Sequence, residues 1–147
     1  MKLPIAPLEN AALSALCGQR AIKWDVVQIA TRQAIRLSFL SINSHWRQGV
    51  RLSADPGILI DSESHKGVHL WQDNSPPSVE MTIMADDGHL HVYNIWDSGR
   101  GLGHESQSHT AGMLVEQIGN IRTYRCQDIG NTPDFSKLVF RLELREK

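Results

Sequence analysis

From Val50 onward, hydrophobic and polar positions alternate with a period of two in short runs, each closed by turn-forming residues. That pattern predicts half-buried β-strands. The runs are Val50–Ser53, Ile58–Asp61, Val68–Asp73, Val79–Ala85, His89–Asp97, Met113–Ile118, Ile121–Gln127 and Leu138–Leu144. Asp55-Pro56-Gly57 reads as a turn between the first two, and Ser75-Pro76-Pro77 closes the third. Before them, Pro7–Cys17 carries helix formers in a row with a stop signal at Gly18, which predicts a short helix. Between Val26 and Asn43 two patterns compete. Ile35, Leu37 and Phe39 alternate with Arg36 and Ser38 as in a strand, whereas Ala30, Ala34, Leu37 and Ser41 share a helical face. The sum is an all-β protein, an antiparallel sandwich or flattened barrel with a short N-terminal helix.

Two turns allow strands to be paired residue by residue. Asp87-Gly88 is a preferred two-residue hairpin loop. Used that way, it sets Ala85 opposite Leu90, Ile83 opposite Val92, Met81 opposite Asn94 and Val79 opposite Trp96, a nearly apolar face. The other face pairs Met84 with His91, Thr82 with Tyr93 and Glu80 with Ile95. Gly119-Asn120 is a second such loop and sets Val115 opposite Tyr124 and Met113 opposite Cys126. A slip of one residue would turn every apolar side chain outward.

At 147 residues the chain fits a single domain, 1–147, large enough to bury a core. Its 21% charged and 41% hydrophobic residues are ordinary for a globular protein. A net charge of −1 with scattered Lys and Arg argues against nucleic acid as a partner. No run approaches the roughly 18 apolar residues of a membrane span, so no membrane association is expected. Pro4, Pro7, Glu9 and Asn10 interrupt the first apolar run, so no export signal is read and a cytoplasmic location is the default expectation. Cys17 and Cys126, the only two cysteines, lie too far apart for a metal or redox motif and are read as reduced thiols.

Candidate chemistry gathers on the polar hairpin face and in the loop that follows. Amphipathic rings beside hydrogen-bonding groups suit a sugar-like ligand. Glu80 and Thr82 would hydrogen-bond it, with His91 and Tyr93 stacking against it. The loop from Asp97 to Thr110, DSGRGLGHESQSHT, is small, polar and holds two of the seven histidines. Asp97, Arg100, His104 and His109 would complete the site, since loops held by rigid strands commonly carry binding chemistry. The reading is non-catalytic binding of a small polar molecule. A further alternative is a protein-interaction module, such as an inhibitor or immunity partner, with the same loop as its contact. The sheet face would otherwise be an ordinary exposed sheet or the interface of a homodimer. His89-x-His91 places two imidazoles on one strand face about 7 Å apart, but Glu80 is poorly placed as a third ligand, so no metal is assigned. No cofactor is assigned either. Ser98, Ser106 and Ser108 lie near Asp97, His104 and His109 in sequence only, with no nucleophile-elbow motif. Trp46, between His45 and Arg47, is the best candidate for an exposed aromatic.

A rival reading starts at Asp97-Ser98-Gly99-Arg100-Gly101. This segment resembles the Asp-x-Gly-x-Gly box of the GHKL (Bergerat-fold) ATPases, the family of histidine kinases and anti-sigma-factor kinases. Thr110-Ala111-Gly112-Met113-Leu114 and the two last strand runs stand where that family has a glycine segment and terminal strands, so the likeness covers about the C-terminal half. The resemblance implies an α+β sandwich with three long helices and an ATP site. In it Asp97 would bind adenine, Gly99 and Gly101 would let the backbone approach the nucleotide, and Asn43 would be the sole candidate magnesium ligand.

Overall fold

The computed structural model describes residues 4–130 and 132–145. In chain order the elements are β1 (Leu8–Glu9), α1 (Ala11–Cys17), β2 (Ile22–Gln28), β3 (Arg32–Ile42), β4 (Arg47–Ile60), β5 (Glu63–Trp71), β6 (Ser78–Ala85), β7 (His89–Asp97), β8 (Gly112–Ile118), β9 (Ile121–Gln127) and β10 (Leu138–Arg145). The strands pair antiparallel, and eight close into a barrel in the order β2-β7-β4-β6-β3-β10-β9-β8. A pair between Ile22 and Met113 completes the ring. β5 lies along β4 and β1 along β2, both outside that ring.

The all-β expectation is met, and the helix-rich alternative is overturned. Among the described residues α1 is the only helix, seven residues long, where the GHKL likeness implies three long ones. It is short because both ends are capped. Asn10 Oδ1 accepts from the Leu13 amide, and Gly18 ends the helix in the left-handed region at φ 74°. The contested stretch from Val26 to Asn43 is mostly strand, falling in β2 and β3 with a break at 29–31. No helix is long and apolar enough to cross a membrane among the described residues.

The Gly119-Asn120 hairpin has the predicted register, with Val115 opposite Tyr124 and Met113 opposite Cys126. The Asp87-Gly88 hairpin does not exist. Arg47 to Ser53 of β4 pair with Asp97 to His91, and Pro56 to Leu59 with Ala85 to Thr82. Both pairings are antiparallel to β4, so β6 and β7 run along it in one direction. β2 and β3 run along β7 and β6 in the same manner. The expected Asp55-Pro56-Gly57 turn is likewise a bend inside β4, not a break between two strands.

Three stretches therefore cross the barrel side by side, each bent near its middle, at 29–31, 54–57 and 86–88. The bends are bonded to one another. Asp86 N donates to Asp55 O at 2.9 Å, Ile29 N to Gly88 O at 2.8 Å, and Ala85 N to Thr31 O at 2.9 Å. Strands turn barrel corners through such bends.

The side chains assigned to the core are buried, although on β7 the opposite face buries His91 and Ile95 as well. Val79, Met81, Ile83, Ala85, Leu90, Val92, Asn94 and Trp96 are all buried. Ile35, Leu37, Leu52, Ile58 and Phe140 join them, and each such aliphatic or aromatic side chain contributes about 1.5–3 kcal/mol on burial. Tyr124 stacks on Phe140 at 4.6 Å between ring centroids.

Candidate functional site

A cavity of about 680 Å³ opens where β3 ends, β4 begins, β9 ends and β10 begins. Asp128 follows directly on β9 and lines this cavity, although only 2% of its surface is exposed. Its Oδ2 accepts from Gln48 Nε2 at 2.8 Å and from Ser44 Oγ at 3.3 Å. Burial pushes the Asp128 carboxyl above the usual carboxylate range, against the opposing pull of Gln48, Lys137 and Ser44. Gln48 is itself fully buried, and its Oε1 has no partner among the described residues.

Around this carboxyl the two loops supply complementary groups. Trp46, partly buried, forms part of the wall beside His45, and its backbone N donates to Ser44 Oγ at 3.1 Å. Lys137 and Asn43 also line the cavity. Lys137 Nζ stands 3.7 Å from Asp134, and Asn43 Nδ2 donates to Ser136 Oγ at 2.9 Å. Residues 134–136 are held in place, since Ser136 N donates to Asp134 Oδ1 at 3.1 Å and the Asp134 amide donates to Gln127 Oε1 at the end of β9. The cavity thus combines a buried acceptor, Asp128, with the more exposed donors Lys137 and Asn43 and the aromatic side chain of Trp46.

The residues singled out from sequence are dispersed by the missing hairpin. Glu80 and Thr82 lie on β6 beside β3, where Glu80 is exposed and paired with Arg36 at 2.8 Å and Arg145 at 3.5 Å. The bond from Arg36 holds the Glu80 carboxyl below its usual range. They line a shallow groove of about 420 Å³ with Arg145 and Asp61. His91 and Tyr93 lie on β7 between β2 and β4. His91 is buried, because the chain entering β1 crosses it and the Pro4 carbonyl accepts from its Nε2. Glu80 and Thr82 therefore do not face His91 and Tyr93.

The loop after β7 is internally bonded. An isolated bridge joins Trp96 to Glu105. Ser98 and Arg100 both bond the Glu105 carboxylate, and Asp97 Oδ1 accepts from Gly99 N at 2.9 Å. Burial alone would raise Glu105, but these bonds outweigh it and hold its carboxyl low. Among the described residues none of Ser98, Ser106 and Ser108 hydrogen-bonds a histidine. His109 is exposed and its carbonyl accepts from Asn10. His104 packs on His69 of β5, with ring centroids 4.3 Å apart. Arg51 Nη1 reaches His69 Nε2 at 3.0 Å. His69 and Arg51 thus share a cluster with His104 that sequence reasoning did not foresee.

Among the described residues no three His, Cys, Asp or Glu side chains converge as a metal site. Cys126 lies in the interior and Cys17 at the end of α1, both as free thiols. Of the cavity residues, Trp46 carried a sequence signal in its polar neighbourhood, and Asn43 was singled out only through the GHKL likeness. Asp128 belongs to no motif, and only the fold brings it to Ser44 and Gln48. Comparison with protein-family models, with curated proteins and with solved structures finds no match.

Proposed function

We propose that this protein binds a small, uncharged, hydroxyl-rich ligand, of the saccharide or polyol class, in the cavity at the end of β9. The observation that carries this reading is the buried Asp128 carboxyl beside the aromatic wall of Trp46 in a cavity of about 680 Å³. Asp128 accepts from a ligand hydroxyl, Lys137 and Asn43 donate to others, and Trp46 packs against the apolar face of a ring. Ser44 and Gln48 hold the carboxyl in place. The proposal keeps the ligand class expected from sequence and moves the site from the β7 face and its loop to the β3–β4 and β9–β10 connections.

The test is saturation-transfer NMR with a panel of monosaccharides and linear polyols, followed by calorimetry on any that bind. Saturable binding that is lost in Trp46→Ala and weakened in Asp128→Asn is the expected result. If no member binds at millimolar concentration, or if Trp46→Ala binds as well as the parent, the proposal is wrong.

A further inference from the structure

The barrel is sealed unevenly. β2 and β8 meet at a single residue pair, Ile22 with Met113. Beyond it a cavity of about 290 Å³ lies between β2 and β8, bounded also by β9 through Arg122. This seam is remote from the cavity of Asp128. Arg122 stands near the start of β9 and Gln127 at its end, about 17 Å apart at roughly 3.3 Å per residue.

The seam is lined by two kinds of group. Ile22, Val26 and Val115 supply an apolar wall, and Arg20 and Arg122 supply guanidinium groups. Asp25, 2% exposed, holds Arg122 in place. Its Oδ2 accepts from Tyr124 Oη at 2.6 Å and Arg122 Nη1 at 3.1 Å, and its Oδ1 accepts from Val26 N at 2.9 Å. Both carboxylate oxygens are thus engaged, and Asp25 has little left to offer a ligand. The arginines are in the opposite condition. Arg122 uses one of its five N–H donors on Asp25. Arg20 has a distant partner, with its Nε 3.8 Å from Glu9, and its side chain is 62% exposed. Donors in excess beside an apolar wall call for a molecule with an anionic, acceptor-rich head and an apolar body. A buried ion pair of this kind is by itself weak evidence for stability. Asp25 fixes the Arg122 guanidinium where it lines the cavity.

We propose that the β2–β8 seam is a second binding site, for a small carboxylic acid with a compact apolar body. The carboxylate bonds Arg122 and Arg20, and the body rests on Ile22, Val26 and Val115. The planar guanidinium fork matches a carboxylate in two parallel bonds. This site is independent of the one at Asp128, so either stands without the other.

Benzoate is the probe, added to the ¹⁵N-labelled full chain at constant ionic strength. Benzyl alcohol, acetate and chloride serve as controls. The expected result is a saturable shift confined to the amides of residues 22, 26, 115 and 122, weak or absent with the controls. Arg20→Gln, a change at an exposed side chain, should weaken benzoate by about tenfold or more. Val115→Phe should block the seam while leaving saccharide binding at Trp46 unchanged. The proposal is overturned by the absence of a saturable shift at those amides. It is also overturned by equal shifts with benzyl alcohol, acetate or chloride, or by an unchanged affinity in Arg20→Gln.

Discussion

Arg51 Nη1 lies 3.0 Å from His69 Nε2. A guanidinium can only donate, so His69 Nε2 is the acceptor and the ring is neutral with its proton on Nδ1. Burial, then His104 and Arg51, lower the basicity of His69 below that of an ordinary histidine. The unfolded chain therefore takes up the proton first as pH falls. The stability due to neutral His69 is complete above about pH 6.5, the unfolded value, and declines as pH drops below it towards the lower folded value. Melting temperatures between pH 7.5 and 5 should fall more steeply in the parent than in His69→Gln. Equal slopes would show that this ring carries no such linkage.

Glycine is required at 49 by a close approach. A Cβ there would lie 2.7 Å from the Leu70 carbonyl oxygen and 2.9 Å from the Trp71 ring, across the β4–β5 pair. Gly49→Ala should cost about 1–3 kcal/mol, as overpacking does. At Gly67 the obstacle is the Arg51 guanidinium, the end of a flexible side chain, so Gly67→Ala should cost less. Urea unfolding of the two variants checks the order, and a larger loss at 67 would contradict it.

Asn10 binds two parts of the chain that are far apart in sequence. Its Oδ1 caps α1, while its Nδ2 lies 3.2, 3.0 and 2.9 Å from the carbonyls of Ser108, His109 and Ala111. Asn10→Ala should lose about 1 kcal/mol for the cap and about 1–3 kcal/mol more for a carbonyl left buried without a partner. Asn10→Asp keeps the cap and loses the donors. In that variant hydrogen exchange should quicken at Ala111 and not at Leu13. Quickening at both would mean that the two roles are not separable.

Of the two tyrosines, Tyr124 is the interior one. Burial, and then Asp25, push its phenol well above the usual value. A raised folded value means that stability is intact below about pH 10, the unfolded value, and is lost as pH rises towards the folded one. Tyr124 should therefore ionise only as the protein unfolds in alkali, seen as a coincidence of the phenolate absorbance with loss of the β spectrum. Tyr124→Phe should cost about 1.5–3 kcal/mol, a hydrogen bond to a charged group. Asp25→Asn should cost more, about 3–5 kcal/mol, because it strands Arg122. A Tyr124 that ionises in the folded state would refute the burial of its hydroxyl.

The residues Val79 to Trp96 show what a sequence can and cannot disclose. On β6 alternation identified the inward face, since burial acts on each side chain through its own strand's pleat. On β7 neighbouring segments bury His91 and Ile95 on the other face too. Alternation did not identify the neighbour. A two-residue hairpin at Asp87-Gly88 and a bend in a continuing strand both need a residue such as Gly88, at φ 74°, and both leave the apolar face intact. The choice was made by β4, which pairs with both β6 and β7. For Gly119-Asn120 no such third strand intervened, and the local signal prevailed. The same limit hid the site. Ser44, Gln48 and Asp128 converge from segments some 80 residues apart, and no spacing rule spans that distance. Trp46 was visible only because an aromatic in a polar run is conspicuous by itself.

The three bonded bends carry a consequence for how the molecule moves. A corner made of one strand could fray alone, but here Ile29, Ala85 and Asp86 each donate to the neighbouring bend. Opening any one of them strips the next of its partner. The amides of Ile29, Ala85 and Asp86 should therefore exchange with solvent at one shared free energy, as a single cooperative unit. Stretches that adjoin only in space would then breathe as one.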